Sequence, residues 1–373
     1  MIQGLRRLLV NNIKNIPGWR INRKIIVIEC DDWGGIRMPS FRAREDMINK
    51  GLNISNSRFD RFDTLADEDD LSMLFDVLAS VKDSEGNPAV MTPMVVIANP
   101  DFERIKKNEF RTYYYEPFTE TLIRNYPGKD VFGIWNEGIN SGIFIPELHG
   151  RDHITVPIWM KKLCEGNREL LTAFEHGYVS LEISGVKQSA SGFRAEFFFD
   201  NEDQKPILLN AISDSISVFH GIFGYRASIF VPANGIFHPD FDSALASGGI
   251  KFMNVYHKMP YPANGGGLKF RRFISGQVGP GIIYYTRNCA FEPTEEGYRG
   301  IEGTLSQIAA AFRWGKPAII STHRVNFIGA IEPLNRENGL MELRKLLKEI
   351  LKRWPDIEFM NSTSALEQMK SSN

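Results

Sequence analysis

Five residues of this chain have types and spacings that suggest chemistry. Asp31 and Asp32 are adjacent carboxylates that directly follow the apolar run Ile25-Ile26-Val27-Ile28 and Glu29-Cys30. Neighbouring like charges are costly unless a cation or donor compensates them. Two aspartates at a strand end project in different directions, so one can ligate a cation while the other stays free as a base. His149 and His153 are four residues apart. On one helical turn their imidazoles would share a face and reach one metal ion. Two imidazoles and one carboxylate make a three-ligand site with positions left open for water. His323 follows Ala318-Ile319-Ile320-Ser321-Thr322, where a titratable imidazole suits a general acid. Plainer alternatives stand beside these readings. The carboxylates would serve as an N-cap and a solvated charge before Gly34-Gly35, the histidine pair would be a chance spacing, and His323 would be a satisfied core residue.

These residues need elements to position them. Short apolar or β-branched runs recur at Lys24–Glu29, Met91–Ala98, Gly142–Leu148, Arg226–Val231, Ile250–Val255, Ile282–Thr286, Pro317–Thr322 and Ile357–Met360. Helical spacing separates several of them, over Asp70–Val81, Pro157–Leu171, Ile207–Phe219, Thr304–Trp314 and Asn338–Trp354. Strands alternating with helices predict an α/β fold with a mostly parallel sheet, and the number of strands favours a barrel over an open sheet. In such folds chemistry gathers at the C-terminal ends of strands, where all five residues lie. Val179–Asp200 mixes Gly, Ser, Phe and charge and reads as an insertion that decorates the barrel, near 179–206. Pro260–Gly279 reads as a Gly/Pro-rich loop. Residues 1–20 carry Ile2, Leu5, Leu8, Leu9 and Ile13 at helical spacing, so an amphipathic helix packed on a single domain spanning 21–373 is expected.

Composition narrows the function classes. A formal net charge of −1 gives no electrostatic reason to bind nucleic acid or an anionic membrane. Three scattered cysteines form no disulfide framework. The basic N-terminus lacks the apolar core of a signal peptide, and no run approaches the ~20 apolar residues of a membrane span. The expectation is a cytoplasmic protein with no integral span.

Taken in order, the motifs resemble those of the polysaccharide deacetylase family, the NodB-homology carbohydrate esterases. Cys30-Asp31-Asp32-Trp33-Gly34 is similar to that family's first motif with Trp33 inserted. His149-Gly150-Arg151-Asp152-His153 is similar to its second, with Gly150 where Ser or Thr is usual. Pro232-Ala233-Asn234-Gly235 stands where its third motif falls, but Val231 occupies the place of the arginine that steadies the base. The resemblance implies a distorted or incomplete (β/α) barrel of about seven strands. It implies Asp31 as catalytic base, Asp32, His149 and His153 as ligands of a divalent metal, and His323 as general acid. The metal would be Zn²⁺, with Co²⁺, Ni²⁺ or Mn²⁺ as alternatives. For the missing arginine, Arg226, Arg287 and Arg324 are available, and Arg287 is favoured because it directly follows a strand. Asn288 or Glu292 would orient His323. The substrate would meet Trp33, Trp135, Asn234, Asn288 and Glu292. Tyr261, Phe270 and Tyr113-Tyr114-Tyr115 are further aromatic candidates for a sugar face.

The implied activity is metal-dependent removal of acetyl groups from a glycan or sugar precursor. Two other readings stay open: hydrolysis of another C–N amide on the same metal site, and a non-catalytic glycan-binding descendant of the fold.

Overall fold

The apolar runs become a curled, parallel sheet because their side chains are buried on both faces, as parallel strands require. A computed structural model describes residues 9–183 and 193–369. The main strands are β1 (Lys24–Trp33), β2 (Met91–Val95), β5 (Glu147–Leu148), β6 (Ile229–Phe230), β7 (Phe252–Asn254), β10 (Ile283–Tyr285), β11 (Cys289–Ala290), β12 (Ala318–His323) and β13 (Ile357–Phe359). They form a nine-stranded sheet in the order β10-β7-β6-β5-β2-β1-β12-β11, with β13 beside the start of β1. The sheet is left open between β10 and β11, as in an incomplete barrel. Two antiparallel pairs complete the strands: β3 (Ala98–Pro100) with β4 (Tyr115–Pro117), and β8 (Lys258–Ala263) with β9 (Gly267–Arg272).

Alternation along β1 sorts its side chains between two cores. Ile25 and Val27 join Met94, Ile229, Val231, Phe252, Tyr285 and Ile319 in one buried cluster. Strands so far apart in the sheet meet only inside its curl. Ala365, Leu366 and Met369 close the end of this cluster. Ile26, Ile28 and Cys30 face the other way, against the outer layer of helices that includes Glu68–Ala79 and Pro333–Arg353. Glu29 and Asp31 continue the inward set, which brings two carboxylates into the barrel mouth.

Several expectations change here. The segment Pro157–Leu171 is two helices, Val156–Cys164 and Arg168–Glu175, broken at Gly166 with φ +76°. Pro260–Gly279 is largely the β8–β9 hairpin rather than a loop. Phe193–Phe199 does not decorate the surface, because all seven of its residues are buried. Residues 184–192 of that segment, and residues 1–8 of the expected N-terminal helix, lie outside the described residues. Residues 9–13 are helical, and Leu9, Val10 and Ile13 are exposed. Among the described residues one helix, Glu202–Phe223, is long and apolar enough to cross a membrane by length and composition. Its Leu208, Ala211, Ile212, Ser215, Ile216 and Phe219 are buried in the protein.

Candidate active site

The C-terminal end of β1 separates the two aspartates. Pairing between β1 and β2 skips register between Cys30 and Trp33, and Asp32 takes a left-handed φ of +74°. A bulge of this kind re-aims side chains. Asp31 stays opposite His323 on β12, while Asp32 turns towards the loop after β5. A non-glycine residue in this conformation is strained and is kept only where its surroundings over-determine it.

Asp32 Oδ1 lies 3.4 Å from His149 Nε2 and 3.3 Å from His153 Nε2. All three residues are buried, and their ligand atoms lie within 4.8 Å of one another. The histidines do not share a helical turn, as their spacing had suggested. His149 directly follows β5, His153 sits in a bend with φ +52°, and the next helix begins only at Val156. Gly150 allows this path. Its φ is +100°, and a Cβ there would lie 2.0 Å from Glu196 Oε2. A Ser or Thr at this position does not fit.

The ring orientation of His149 tests whether the cluster suits a cation. Its Nδ1 donates to the Val231 carbonyl at 2.8 Å. In the neutral ring Nε2 is then a bare lone pair facing a carboxylate oxygen. Two acceptors in contact need a shared cation, either a second ring proton or a metal ion. Burial, and then the charge of Arg194, pull the His153 pKa down to about 4, so this ring is neutral at ordinary pH. Burial works against ionisation of Asp32, but the imidazoles of His149 and His153 beside it outweigh this and hold its pKa well below the usual range. One carboxylate and two imidazoles are a donor set that fits a divalent metal such as zinc. Val231, which replaces the expected arginine, contributes its carbonyl as the orienting acceptor behind His149, the usual second-layer partner of a ligating imidazole.

Arg287 comes from just beyond β10 and grips Asp31 with both terminal nitrogens, at 2.6 and 2.7 Å, while its Nε reaches Glu29 at 2.5 Å. Tyr285 donates to the same Glu29 at 3.0 Å. Burial disfavours the Asp31 anion, but Arg287 first and then the nearby imidazoles outweigh it, so its pKa is lowered. Arg226 and Arg324 do not reach Asp31; Arg324 pairs with Asp63 at 3.0 Å. His323 faces the site from β12. Its Nδ1 donates to Glu292 at 2.6 Å, and Nε2 lies 3.9 Å from Asp31. Burial lowers its pKa, but the Glu292 carboxylate overrides this and raises it to about 9. Glu292 is held in turn by Arg58 at 2.6 Å and Asn326 at 2.8 Å, and Phe59 packs edge-on against the His323 ring.

The expected substrate-binding set is mostly committed elsewhere. Trp33 and Trp135 are fully buried and pack edge-on against each other and against Phe144, so neither is a wall for a sugar. The Asn288 amide bridges Asn15 and the Pro317 carbonyl and accepts from the Ile319 N–H. It braces strands and does not orient His323. Glu292 has that role and has no free carboxylate edge for substrate. Asn234 is exposed with φ +54° in the turn after β6. The sequence reading missed Glu29, Arg58, Arg194 and Glu196. The available signal was a charge set inside an otherwise apolar run, as in Ile28-Glu29-Cys30 and Phe193-Arg194-Ala195-Glu196-Phe197.

No protein-family model matches the chain, and no curated protein matches it. Solved structures similar to it include a polysaccharide deacetylase of putative function from Mycobacterium smegmatis, at 10% identity and TM-score 0.45, with 95% of this chain and 94% of that one covered. An allantoinase is similar at 11% identity and TM-score 0.46, with 95% and 93% covered. A 4-alpha-glucanotransferase from Thermococcus litoralis is similar at 11% identity and TM-score 0.47, with 93% of this chain covered, and the chain spans 40% of its length. Likeness at that distance concerns backbone shape, so what the chain does is read from the side chains described above.

Proposed function

We propose that the chain is a metal-dependent hydrolase that removes an acetyl group from a glycan or sugar precursor. The observation that carries this is one arrangement. A three-donor cluster of Asp32, His149 and His153 lies beside an arginine-held carboxylate, Asp31, and a carboxylate-held imidazole, His323. A metal ion bound by the three donors would polarise an acyl carbonyl and acidify a water molecule. Asp31, ionised and fixed by the Arg287 fork, accepts a proton from the attacking water. Glu29 and Tyr285 hold that fork in place from inside the barrel. His323 commits Nδ1–H to Glu292, so its other nitrogen faces Asp31 and the site. With a pKa of about 9 it carries a proton at neutral pH and gives it to the departing nitrogen or oxygen.

A second reading, hydrolysis of a non-sugar C–N amide on the same residues, is favoured by the loss of Trp33 and Trp135 as sugar walls. N- and O-acetylated sugars assayed against simple amides, with added Zn²⁺, Co²⁺ or Mn²⁺, separate the two. Asp31→Asn is expected to lower turnover of the best substrate by at least ~100-fold while metal content stays at the wild-type level. His149→Ala is expected to lose both. Undiminished turnover by metal-free His149→Ala protein would end the proposal.

A further inference from the structure

The buried arginines around the site are paired, with one exception. Arg37 meets Asp60 at 3.0 Å, Arg324 meets Asp63 at 3.0 Å, Arg151 meets Asp152 at 2.9 Å and Arg287 meets Asp31 at 2.6 Å. Arg194 is only 4% exposed, its Nε has no hydrogen-bond partner, and its guanidinium makes no ion pair among the described residues. Burial and the like charge of Arg37 lower its pKa to about 10, against the opposing pull of the Asp32, Asp63 and Asp60 carboxylates, none of which pairs with it directly, so it remains a cation at neutral pH. A buried cation without a directly bonded partner is unfavourable. It is retained at functional sites where a ligand supplies the missing charge.

Arg194 lines a cavity of about 160 Å³, well above the ~10–15 Å³ that one water needs. The other walls include Gly35, Ile36, Asp152 and Ile154. Asp152 and Ile154 flank His153 in the chain, and the charge of Arg194 acts on both His153 and Asp32, so the cavity lies near the donor cluster. The Asp152 side chain is itself fully buried and held by Arg151 at 2.9 Å. The cavity therefore presents one cation without a directly bonded counter-charge. A ligand that completes it carries an anionic oxygen group.

We infer that the substrate is an acidic sugar, whose carboxylate or phosphate is bound by Arg194 beside the acyl group that is removed. The inference rests on the hydrolase reading, but its test is a binding measurement. The probes are an acetylated uronic acid, the matching acetylated sugar 1-phosphate and the matching neutral acetylated sugar. Each is titrated calorimetrically into Asp31→Asn protein, which does not consume it. At least one acidic probe should bind roughly 10-fold or more tighter than the neutral one, as a charge-assisted fork implies. Which one it is identifies the anion. High salt should shrink the difference, and Arg194→Gln added to Asp31→Asn should abolish it. Arg194→Lys, which keeps the charge without the fork, should keep part of it. Equal binding of acidic and neutral probes by protein with Arg194 intact overturns the inference, and this comparison needs no change at Arg194. Hydrolysis confined to neutral acetylated sugars would remove the inference and leave the hydrolase standing. Arg194-dependent binding of acidic sugars, with no hydrolysis of any acetylated compound, would do the reverse.

Discussion

At the scale of single residues, the site works by giving similar groups different neighbours. Asp31 and Asp32 are adjacent, yet one is held by a guanidinium fork and the other by two imidazoles. The same principle sets His323 apart from His153: a carboxylate raises the first to about 9, and burial with a nearby arginine lowers the second to about 4. Because the folded pKa of His323 lies above its ordinary value, the proton it needs as an acid is present at neutral pH and lost as pH rises through about 9. The alkaline limb of kcat/KM should therefore fall near pH 9. The stability contributed by the His323–Glu292 pair is complete below the ordinary histidine range, near ~6.5, and is lost over the same rise. Glu292→Gln removes the principal raising interaction, so its limb should move towards lower pH, with thermal stability less dependent on pH between those values. An alkaline limb that stays in place in Glu292→Gln would show that His323 is not the acid.

At the scale of elements, the loop after β5 is the critical piece, because it carries both histidines without a helix to space them. Its geometry depends on Gly150. Alanine there would need a φ of +100° and would set its Cβ 2.0 Å from the Glu196 carboxylate. Glu196 has little freedom to retreat, because it accepts the Arg151 N–H at 3.0 Å from within a fully buried segment. Gly150→Ala should lower the melting temperature and weaken zinc binding by roughly 10-fold or more, the scale seen when the support of metal ligands is disturbed. Unchanged zinc affinity would show that the loop adapts. This element also marks the boundary of what the sequence discloses. The buried runs from β1 to β13 are legible because parallel strands covered on both faces are continuously apolar. The β8–β9 hairpin is not, since β9 is mostly exposed and its pattern resembles a loop. The convergence of His149 and His153 is legible from their types, but the bend that produces it is not. It depends on Glu196, which no local pattern connects to Gly150. Arg287 is legible as a strand-end cation, whereas its grip on Asp31 follows from β10 curling to face β1 across the barrel.

At the scale of the whole molecule, folding gathers groups that are far apart in the chain. Asp32 comes from the end of β1, His149 and His153 follow β5, and His323 ends β12. The unfolded chain has no such cluster, so an ion that binds it binds the folded state and stabilises it by linkage. The stabilisation is about 2.7 kcal/mol when free metal is 100-fold above its Kd. Zinc should raise the melting temperature of the wild-type protein, and a chelator should reverse the rise. Asp31→Asn should respond alike, because Asp31 lies outside the donor set, and His149→Ala should not respond. The same measurement distinguishes the two cations that can stand between His149 and Asp32. If a second ring proton holds the cluster together, the wild-type melting temperature will ignore zinc. If a metal ion does so, zinc will raise it and a chelator will lower it again. A melting temperature indifferent to zinc at every pH would remove the metal site, and with it the proposed hydrolase.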